Sequence, residues 1–361
     1  MDDAFYIKRA LRLARKAEGK TSPNPMVGAV VVKGKRIISE DYHRKPGEPH
    51  AEALALKKAG ESAKGGTLYV SLEPCSHTDK RTPPCTKTII NSGIKKVVIS
   101  MKDPNPKVSG KGILELKRAG IDVMTGVLEE SARKLNEAYL KYITRGMPFV
   151  TMKVAMTLDG KIATPEGQSK WITGNRARAF VHKLRSRADA ILTAIGTVKA
   201  DDPELTARHG IRRTSPIRIV IDPKLEIPLS AKILKTPPET VIITKKENKK
   251  TKLLKNSGIG IIPYKGKLDL NWLMKRLAQI GIMSLMIEGG SSLNAHCLED
   301  GIVDKVMFFI AGKIIGGKES YPAVGGKTFR KLTEAYRVKD MKVSRIGEDI
   351  LIEGYMQKDF L

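Results

Sequence analysis

The sequence predicts an α/β protein of two domains, residues 1–145 and 146–361. Three observations carry that reading. Strand-like apolar runs alternate with helix-like apolar stripes along the chain, the pattern of sheets covered by helices. The alternation breaks at Thr144-Arg145-Gly146-Met147-Pro148, where two breakers follow a long helical stretch, and then starts afresh. A length of 361 residues fits about two domains.

In the first domain, residues 2–19 carry a helical apolar stripe (Phe5, Ile7, Leu11, Leu13, Ala14) that stops at a glycine. Residues 27–32 are an apolar run after Pro23-Asn24-Pro25, paired through Gly34 with 36–42 as a hairpin. Pro49 opens a helix to Gly60, and 68–72 is a strand that delivers Glu73-Pro74-Cys75. Further helices are predicted from Pro83-Pro84-Cys85 to Gly93, over 112–119 and over 129–143, with strands at 96–101 and 121–124. That order gives an α/β layer with a mixed sheet. In the second domain, strands are predicted at 149–156, 190–193, 217–221, 240–244, 260–263, 284–287 and 305–310. Helices are predicted at 175–186, 270–280 and 291–299, and two closing strands surround Gly347.

At 41% hydrophobic residues, two buried cores can be filled. No apolar run reaches the ~18 residues a membrane span requires. The start, Met1-Asp2-Asp3-Ala4, has acid where a signal peptide has base, so a soluble cytosolic protein is expected, with no membrane partner. Three cysteines exclude a disulfide framework, and Cys297, in an apolar stretch, reads as a small buried hydrophobe. The net charge of +27 favours anionic partners such as nucleic acid or phosphorylated small molecules. Lysines are spread along the chain and aromatics make up 5%, which weakens a base-stacking platform.

His50-Ala51-Glu52, Pro74-Cys75 and Pro84-Cys85 form the most informative constellation. A catalytic zinc takes three protein ligands and keeps one position open. One imidazole and two thiolates, His50, Cys75 and Cys85, supply that set for one zinc per chain. Glu52 lies two residues from a ligand, suited to carrying a proton from water to a leaving amine. The zinc-deaminase signature is His-x-Glu followed by Pro-Cys-x-x-Cys; here nine residues separate the cysteines. A structural zinc would want a fourth ligand, which His77 could supply, but that reading leaves Glu52 without a role.

The second domain has several marked stretches: Lys153 to Gly160, Ser169-Lys170-Trp171-Ile172-Thr173, Leu184 to Ala190, Gly196 to Arg208, and Ile287-Glu288-Gly289-Gly290-Ser291-Ser292-Leu293. Paired glycines at a helix start let backbone N–H groups approach a pyrophosphate. No Gly-x-Gly-x-x-Gly follows a strand, so the Rossmann fingerprint is absent. Lys153, Asp201 and Glu288 sit at or near strand ends, where they can converge on a reacting carbon.

Glu73-Pro74-Cys75-Ser76-His77 with Arg81-Thr82-Pro83-Pro84-Cys85, followed by the second-domain stretches, resembles the bifunctional pyrimidine deaminase/reductases of riboflavin biosynthesis over nearly the whole chain. The resemblance implies a cytidine-deaminase-like domain followed by a dihydrofolate-reductase-like domain that uses NADPH. It implies hydrolytic deamination of 2,5-diamino-6-ribosylamino-4(3H)-pyrimidinone 5′-phosphate, then reduction of 5-amino-6-(5-phosphoribosylamino)uracil to the ribityl product. Implied pyrimidine contacts are Asn24, His43, Arg81, Thr82, Asp103 and Asn105. Implied cofactor contacts are Ala155, Trp171, Thr197, Asp201, Pro223, Gly290, Ser291, Ser292, Leu293, Asn294, Ala295 and His296. The reductase substrate would meet Ser169, Arg185, Leu205, Arg208 and Glu288, with the two arginines clamping the ribose 5-phosphate. The rival readings are a nucleic-acid deaminase, such as one acting on tRNA adenosine, with an appended domain, and a zinc-stabilised binding protein. The long cysteine spacing and the second domain oppose the first, and Glu52 opposes the second. No nucleic-acid partner is expected, and a homo-oligomer is left open.

Overall fold

The structure, a computed structural model, describes residues 2–76, 83–208, 215–326 and 331–357. The chain divides into two compact units, Met1–Met147 and Pro148–Leu361.

The first unit runs α1 (Asp3–Arg15), β1 (Gly28–Lys33), β2 (Arg36–Tyr42), α2 (Ala51–Ala59), β3 (Thr67–Val70), α3 (Cys85–Asn91), β4 (Lys96–Ile99), α4 (Lys111–Arg118), β5 (Asp122–Thr125), α5 (Glu129–Leu135) and α6 (Glu137–Arg145). Its sheet has the order β2-β1-β3-β4-β5. β1 is antiparallel to both neighbours, whereas β3, β4 and β5 are parallel. Side chains alternate across a strand, so each strand feeds two cores. Val30, Val32, Tyr69 and Val98 pack with Tyr6, Ile7, Ala10 and Leu13 of α1. Ala29, Val31, Leu68, Val70, Val97 and Ile99 pack with Ala51, Ala55, Ile89 and Leu116 on the other face. Close approach is built in at Gly28, where a Cβ would stand 2.1 Å from the Ala10 carbonyl oxygen of α1.

The predicted helix over 129–143 differs in one respect. It is broken at Asn136, whose φ of −107° and ψ of 24° leave the helical region. Its side-chain amide bonds the backbone of Met26, a long-range contact that the helical pattern of 129–143 does not contain.

The second unit runs β6 (Phe149–Thr157), β7 (Lys161–Ala163), α7 (Asn175–Arg185), β8 (Ala190–Ala194), α8 (Ile195–Asp201), β9 (Ile217–Ile221), α9 (Lys232–Lys235), β10 (Thr240–Thr244), α10 (Lys249–Asn256), β11 (Gly260–Pro263), α11 (Leu270–Gln279), β12 (Ser284–Ile287), α12 (Ser291–Glu299), β13 (Lys305–Ala311), β14 (Tyr321–Pro322), β15 (Val338–Ile346) and β16 (Asp349–Met356). Nine strands form one sheet, β11-β10-β9-β8-β12-β6-β13-β16-β15. It is parallel from β11 to β13, and β16 and β15 then join antiparallel. The parallel strands read as continuous apolar runs because helices cover them. Ile191, Val220 and Ile242 meet Leu254 and Val198 in one core, while Phe309 and Met307 meet Ala177 and Val181 in another. Cys297 is fully buried in α12. No helix among the described residues is long and apolar enough to cross a membrane.

Candidate active sites

Three side chains converge where α2 and α3 begin. His50 is the residue before α2, and Cys85 is the first residue of α3. Cys75 lies on the turn after β3, seated against α4 at Gly112, where a Cβ would stand 2.1 Å from the Pro74 carbonyl oxygen. His50 Nδ1 stands 3.2 Å from Cys85 Sγ and 3.6 Å from Cys75 Sγ. A tetrahedral zinc with ordinary bond lengths separates its nitrogen and sulfur ligands by about 3.6 Å. The three ligand atoms lie within 4.8 Å of one another. Without a cation, the hydrogen bond with Cys75 and burial hold the Cys85 thiol pKa well above its ordinary value. A bound divalent ion reverses that balance. His50, Cys75 and Cys85 therefore fit zinc in spacing and in donor chemistry.

Glu52, in the first turn of α2, is buried, and its Oε2 has no hydrogen-bond partner among the described residues. Burial raises its carboxyl pKa, opposed by His50 beside it. A buried carboxylate oxygen without a partner is costly unless a ligand completes it. The site opens into a cavity of about 280 Å³, lined among others by Asn24, His43, His50, Glu52, Cys75, Asp103 and Asn105. Four of the expected pyrimidine contacts thus share one cavity with His50, Cys75 and Glu52. His43 contacts the Pro49 carbonyl through Nδ1 at 3.2 Å and Asn24 Nδ2 through Nε2 at 3.1 Å. The consistent tautomer has Nδ1–H donating to Pro49 and Nε2 accepting from the Asn24 amide. Asn24 thereby spends its amide nitrogen on His43, which sets the orientation of its amide group. Arg81, Thr82 and His77 lie outside the described residues.

The cavity also includes residues to which the sequence assigned no role. Glu73 accepts from the backbone N–H groups of Asp103, Gly110 and Ile113, tying the Cys75 turn to the Asp103 loop. Tyr139 of α6 lines the cavity and bonds Asp103. Both pairings span thirty or more positions, and no local pattern reveals them.

In the second unit, register places the next cluster. Ile287 of β12 lies opposite Met152 of β6, so Glu288 emerges beside Lys153. Glu288 Oε1 accepts from Arg185 Nε at 2.6 Å, and Oε2 accepts from Arg185 Nη2 at 3.0 Å and from Lys153 Nζ at 3.2 Å. The three side chains are between 8% and 14% exposed. Although burial works against ionisation, Arg185 and Lys153 hold the Glu288 carboxyl well below its usual range. Arg185 Nη1 also donates to the Thr206 carbonyl at 3.1 Å. Three of the five guanidinium donors are thus engaged, including the Nε–Nη2 edge that would clamp a phosphate.

Asp201 sits in a separate cluster. Its Oδ1 accepts from Ser169 Oγ at 2.7 Å, and its carbonyl accepts from Lys170 Nζ at 2.8 Å. Leu205 is buried with φ of 51°, and Arg208 is exposed, 3.5 Å from Glu204. Trp171 is exposed with Arg178 stacked on its ring at 4.5 Å. Thr197 and Gly290 are neighbours: a Cβ on Gly290 would stand 3.8 Å from Thr197 Oγ1. Ala155 lies on β6, and Pro223 follows β9. In α12, Ser291, Leu293, Asn294 and Ala295 are buried, whereas Ser292 and His296 are exposed. The Asn294 amide donates to the Ala323 carbonyl at 2.8 Å. The first N–H groups of α12 have no partner within the helix, and the exposed Ser292 hydroxyl lies beside them.

Comparison with known proteins assigns both halves. Residues 1–101 match the cytidine and deoxycytidylate deaminase zinc-binding region, and residues 148–352 match the RibD C-terminal domain. The riboflavin biosynthesis protein RibD of Aquifex aeolicus (strain VF5) is 50% identical over 351 residues, 97% of each chain. The chain belongs to the RibD family. The Escherichia coli (strain K12) member is 40% identical over 370 residues, covering 98% of this chain and 99% of the other. The solved structure of Acinetobacter baumannii RibD superposes with a TM-score of 0.91 at 36% identity, covering 99% of both chains. That of a Thermotoga maritima diaminohydroxyphosphoribosylaminopyrimidine deaminase/5-amino-6-(5-phosphoribosylamino)uracil reductase gives 0.89 at 36% identity, covering 98% of this chain and 99% of that one. A RibD chain thus accounts for the two-part α/β architecture, with the zinc-type constellation in the first part.

Proposed function

We infer that this RibD chain catalyses two consecutive steps of riboflavin biosynthesis. Residues 1–145 hydrolyse the 2-amino group from 2,5-diamino-6-ribosylamino-4(3H)-pyrimidinone 5′-phosphate. Residues 146–361 reduce the ribosyl chain of the resulting uracil to ribityl with NADPH. The observation that carries the reading is the Glu52 carboxylate oxygen, without a hydrogen-bond partner among the described residues and buried beside the His50, Cys75 and Cys85 donors at the wall of a cavity of about 280 Å³.

Zinc, when bound by His50, Cys75 and Cys85, supplies the Lewis acidity that makes water nucleophilic near neutral pH. Glu52 takes one proton from the attacking water and delivers it to the ring nitrogen, then takes the second from the added hydroxyl and delivers it to the departing amine. Water adds at the ring carbon, the bond to the exocyclic nitrogen breaks, and ammonia leaves. Asn24 presents its amide oxygen to the pyrimidine edge, and His43 fixes that orientation. Asp103 and Asn105 supply further polar edges of the same cavity.

In the second unit, NADPH, when bound, supplies the hydride. Thr197, Gly290 and the first turn of α12 offer its pyrophosphate hydroxyl and backbone N–H groups, with Ala155, Trp171 and Pro223 along the remaining contact. Lys153, on β6, and Glu288, which follows the carboxyl end of the adjacent β12, face the reacting carbon. Asp201, which accepts from Ser169, supplies or relays the proton that follows reduction. Arg208, exposed and loosely paired, meets the 5-phosphate, while Arg185 orients Glu288.

A coupled assay tests the reading. The phosphoribosylaminopyrimidine is supplied with NADPH, and ammonia and NADPH oxidation are followed together. Ammonia release must precede NADPH oxidation and rise one for one with it. Ammonia released from RNA, with none from the pyrimidine phosphate, would assign the first unit to a nucleic-acid deaminase.

A further inference from the structure

We propose that Asn136 and Tyr139, at the break between α5 and α6, are positioning residues of the deaminase cavity, each holding one of its two opposite-sequence walls. The inference rests on the deaminase reading of that cavity given above.

Asn136 is 2% exposed and makes both of its amide bonds to one residue. Its Oδ1 accepts from the Met26 N–H at 2.8 Å, and its Nδ2 donates to the Met26 carbonyl at 3.0 Å. This pair reproduces a rung of sheet and fixes both the position and the tilt of the Met26 peptide units. Met26 closes the Pro23-Asn24-Pro25 segment that lines the cavity. Tyr139, one turn further along, is 5% exposed. Its hydroxyl donates to Asp103, standing 3.0 Å from Oδ1 and 3.3 Å from Oδ2. Asp103 Oδ1 also accepts from the Asn105 N–H at 2.9 Å, so the hydroxyl orients the carboxylate that shapes the second wall.

A fold also needs its buried polar groups satisfied, and that alone could explain two such residues. Two observations point further. Both partners belong to segments that line the cavity, at separations of 110 and 36 positions along the chain. The helix is also interrupted at Asn136, the very residue whose amide clamps Met26 at both its N–H and its carbonyl. One turn of chain therefore sets the distance between Asn24 and Asp103, and with it the placement of the pyrimidine.

The test compares Tyr139→Phe and Asn136→Ala in the full chain with a control, Tyr69→Phe. Tyr69 donates a similar hydroxyl bond, 2.7 Å to Asp3, on the α1 side of the sheet. Steady-state ammonia release from the phosphoribosylaminopyrimidine is measured with zinc content and melting temperature. Tyr139→Phe is expected to raise KM roughly tenfold while kcat falls less than about threefold, since lost positioning weakens binding more than chemistry. Zinc content stays at the wild-type level. Asn136→Ala is expected to act in the same direction, and if it does not fold, Tyr139→Phe alone decides. A KM for Tyr139→Phe within about twofold of wild type, or no further shifted than that of Tyr69→Phe, overturns the proposal. Absence of ammonia from the wild-type chain overturns the deaminase reading itself, and this inference with it.

Discussion

Glu288 receives the Nε–Nη2 edge of Arg185, with contacts of 2.6 and 3.0 Å, although the two residues lie 103 positions apart. Lys153 adds a third donor to the same carboxylate. Removing the negative charge leaves two nearly buried cations facing an amide. Glu288→Gln is therefore expected to destabilise the second unit by about 3 kcal/mol, near the low end for a broken buried pair because one acceptor remains. The effect is also pH-dependent. The folded-state pKa of Glu288 is depressed, so its stabilisation is fully present above the unfolded value of about 4.3 and is lost as pH falls toward the folded value. Denaturation curves should show the gap between wild type and variant narrowing as pH drops below about 5. A gap that stays constant would remove the ion pair from the explanation.

Zinc binding should depend on each of the three donors. Cys85→Ser replaces a thiolate with a hard, neutral hydroxyl at the first position of α3. Purified variant is expected to carry a small fraction of the one zinc per chain that the His50, Cys75 and Cys85 cluster accommodates. Full zinc retention with normal deamination would sink this assignment.

Glu52→Gln keeps the side chain's size and removes its titrating proton. Deamination is expected to fall by ~10²–10⁴-fold, the usual range for a general acid–base group. Zinc should remain bound, and NADPH oxidation with the deaminated substrate should proceed. A loss smaller than about tenfold would mean that another group carries the proton.

The two polar clusters of the second unit should separate kinetically. Asp201→Asn is expected to slow NADPH oxidation at least ~10-fold while ammonia release continues. Arg208→Ala should raise KM for the phosphorylated uracil more than it lowers kcat, because phosphate binding is largely uniform along the reaction. Its exposure also predicts a stability change within about 0.5 kcal/mol. Loss of deamination with reduction intact would show that the two halves have been assigned the wrong reactions.

Much of this was legible in the sequence where the cause is local. β9 and β12 are short apolar runs flanked by polar residues or proline, and α12 begins at a glycine pair, so their predicted limits match the observed ones. The zinc constellation was equally accessible, because each donor sits in a short motif. β7 was not, since three residues paired with a two-residue strand carry no period. α10 is rich in lysine and lacks a strong apolar stripe; its one signal was the Asn248–Thr251 capping box. The phosphate-clamp role expected for Arg185 missed its pairing with Glu288, because charge complementarity between distant strands and helices leaves no trace in spacing. Asn136 was hidden for the opposite reason: it lies within a good helical pattern, and the residue its amide bonds is 110 positions away.

That break has a practical reach for anyone dividing the chain. The stretch recognisable as a deaminase zinc-binding region ends at residue 101. A fragment cut there would keep every metal donor and Glu52, yet discard Asp103, Asn105, Asn136 and Tyr139. It would be a metal-binding stump lacking much of its receptor for the base. The compact unit itself runs through α6 to Met147, 46 residues beyond the end of the zinc-binding region at residue 101 (147 − 101), and that is the boundary to use when excising the first unit.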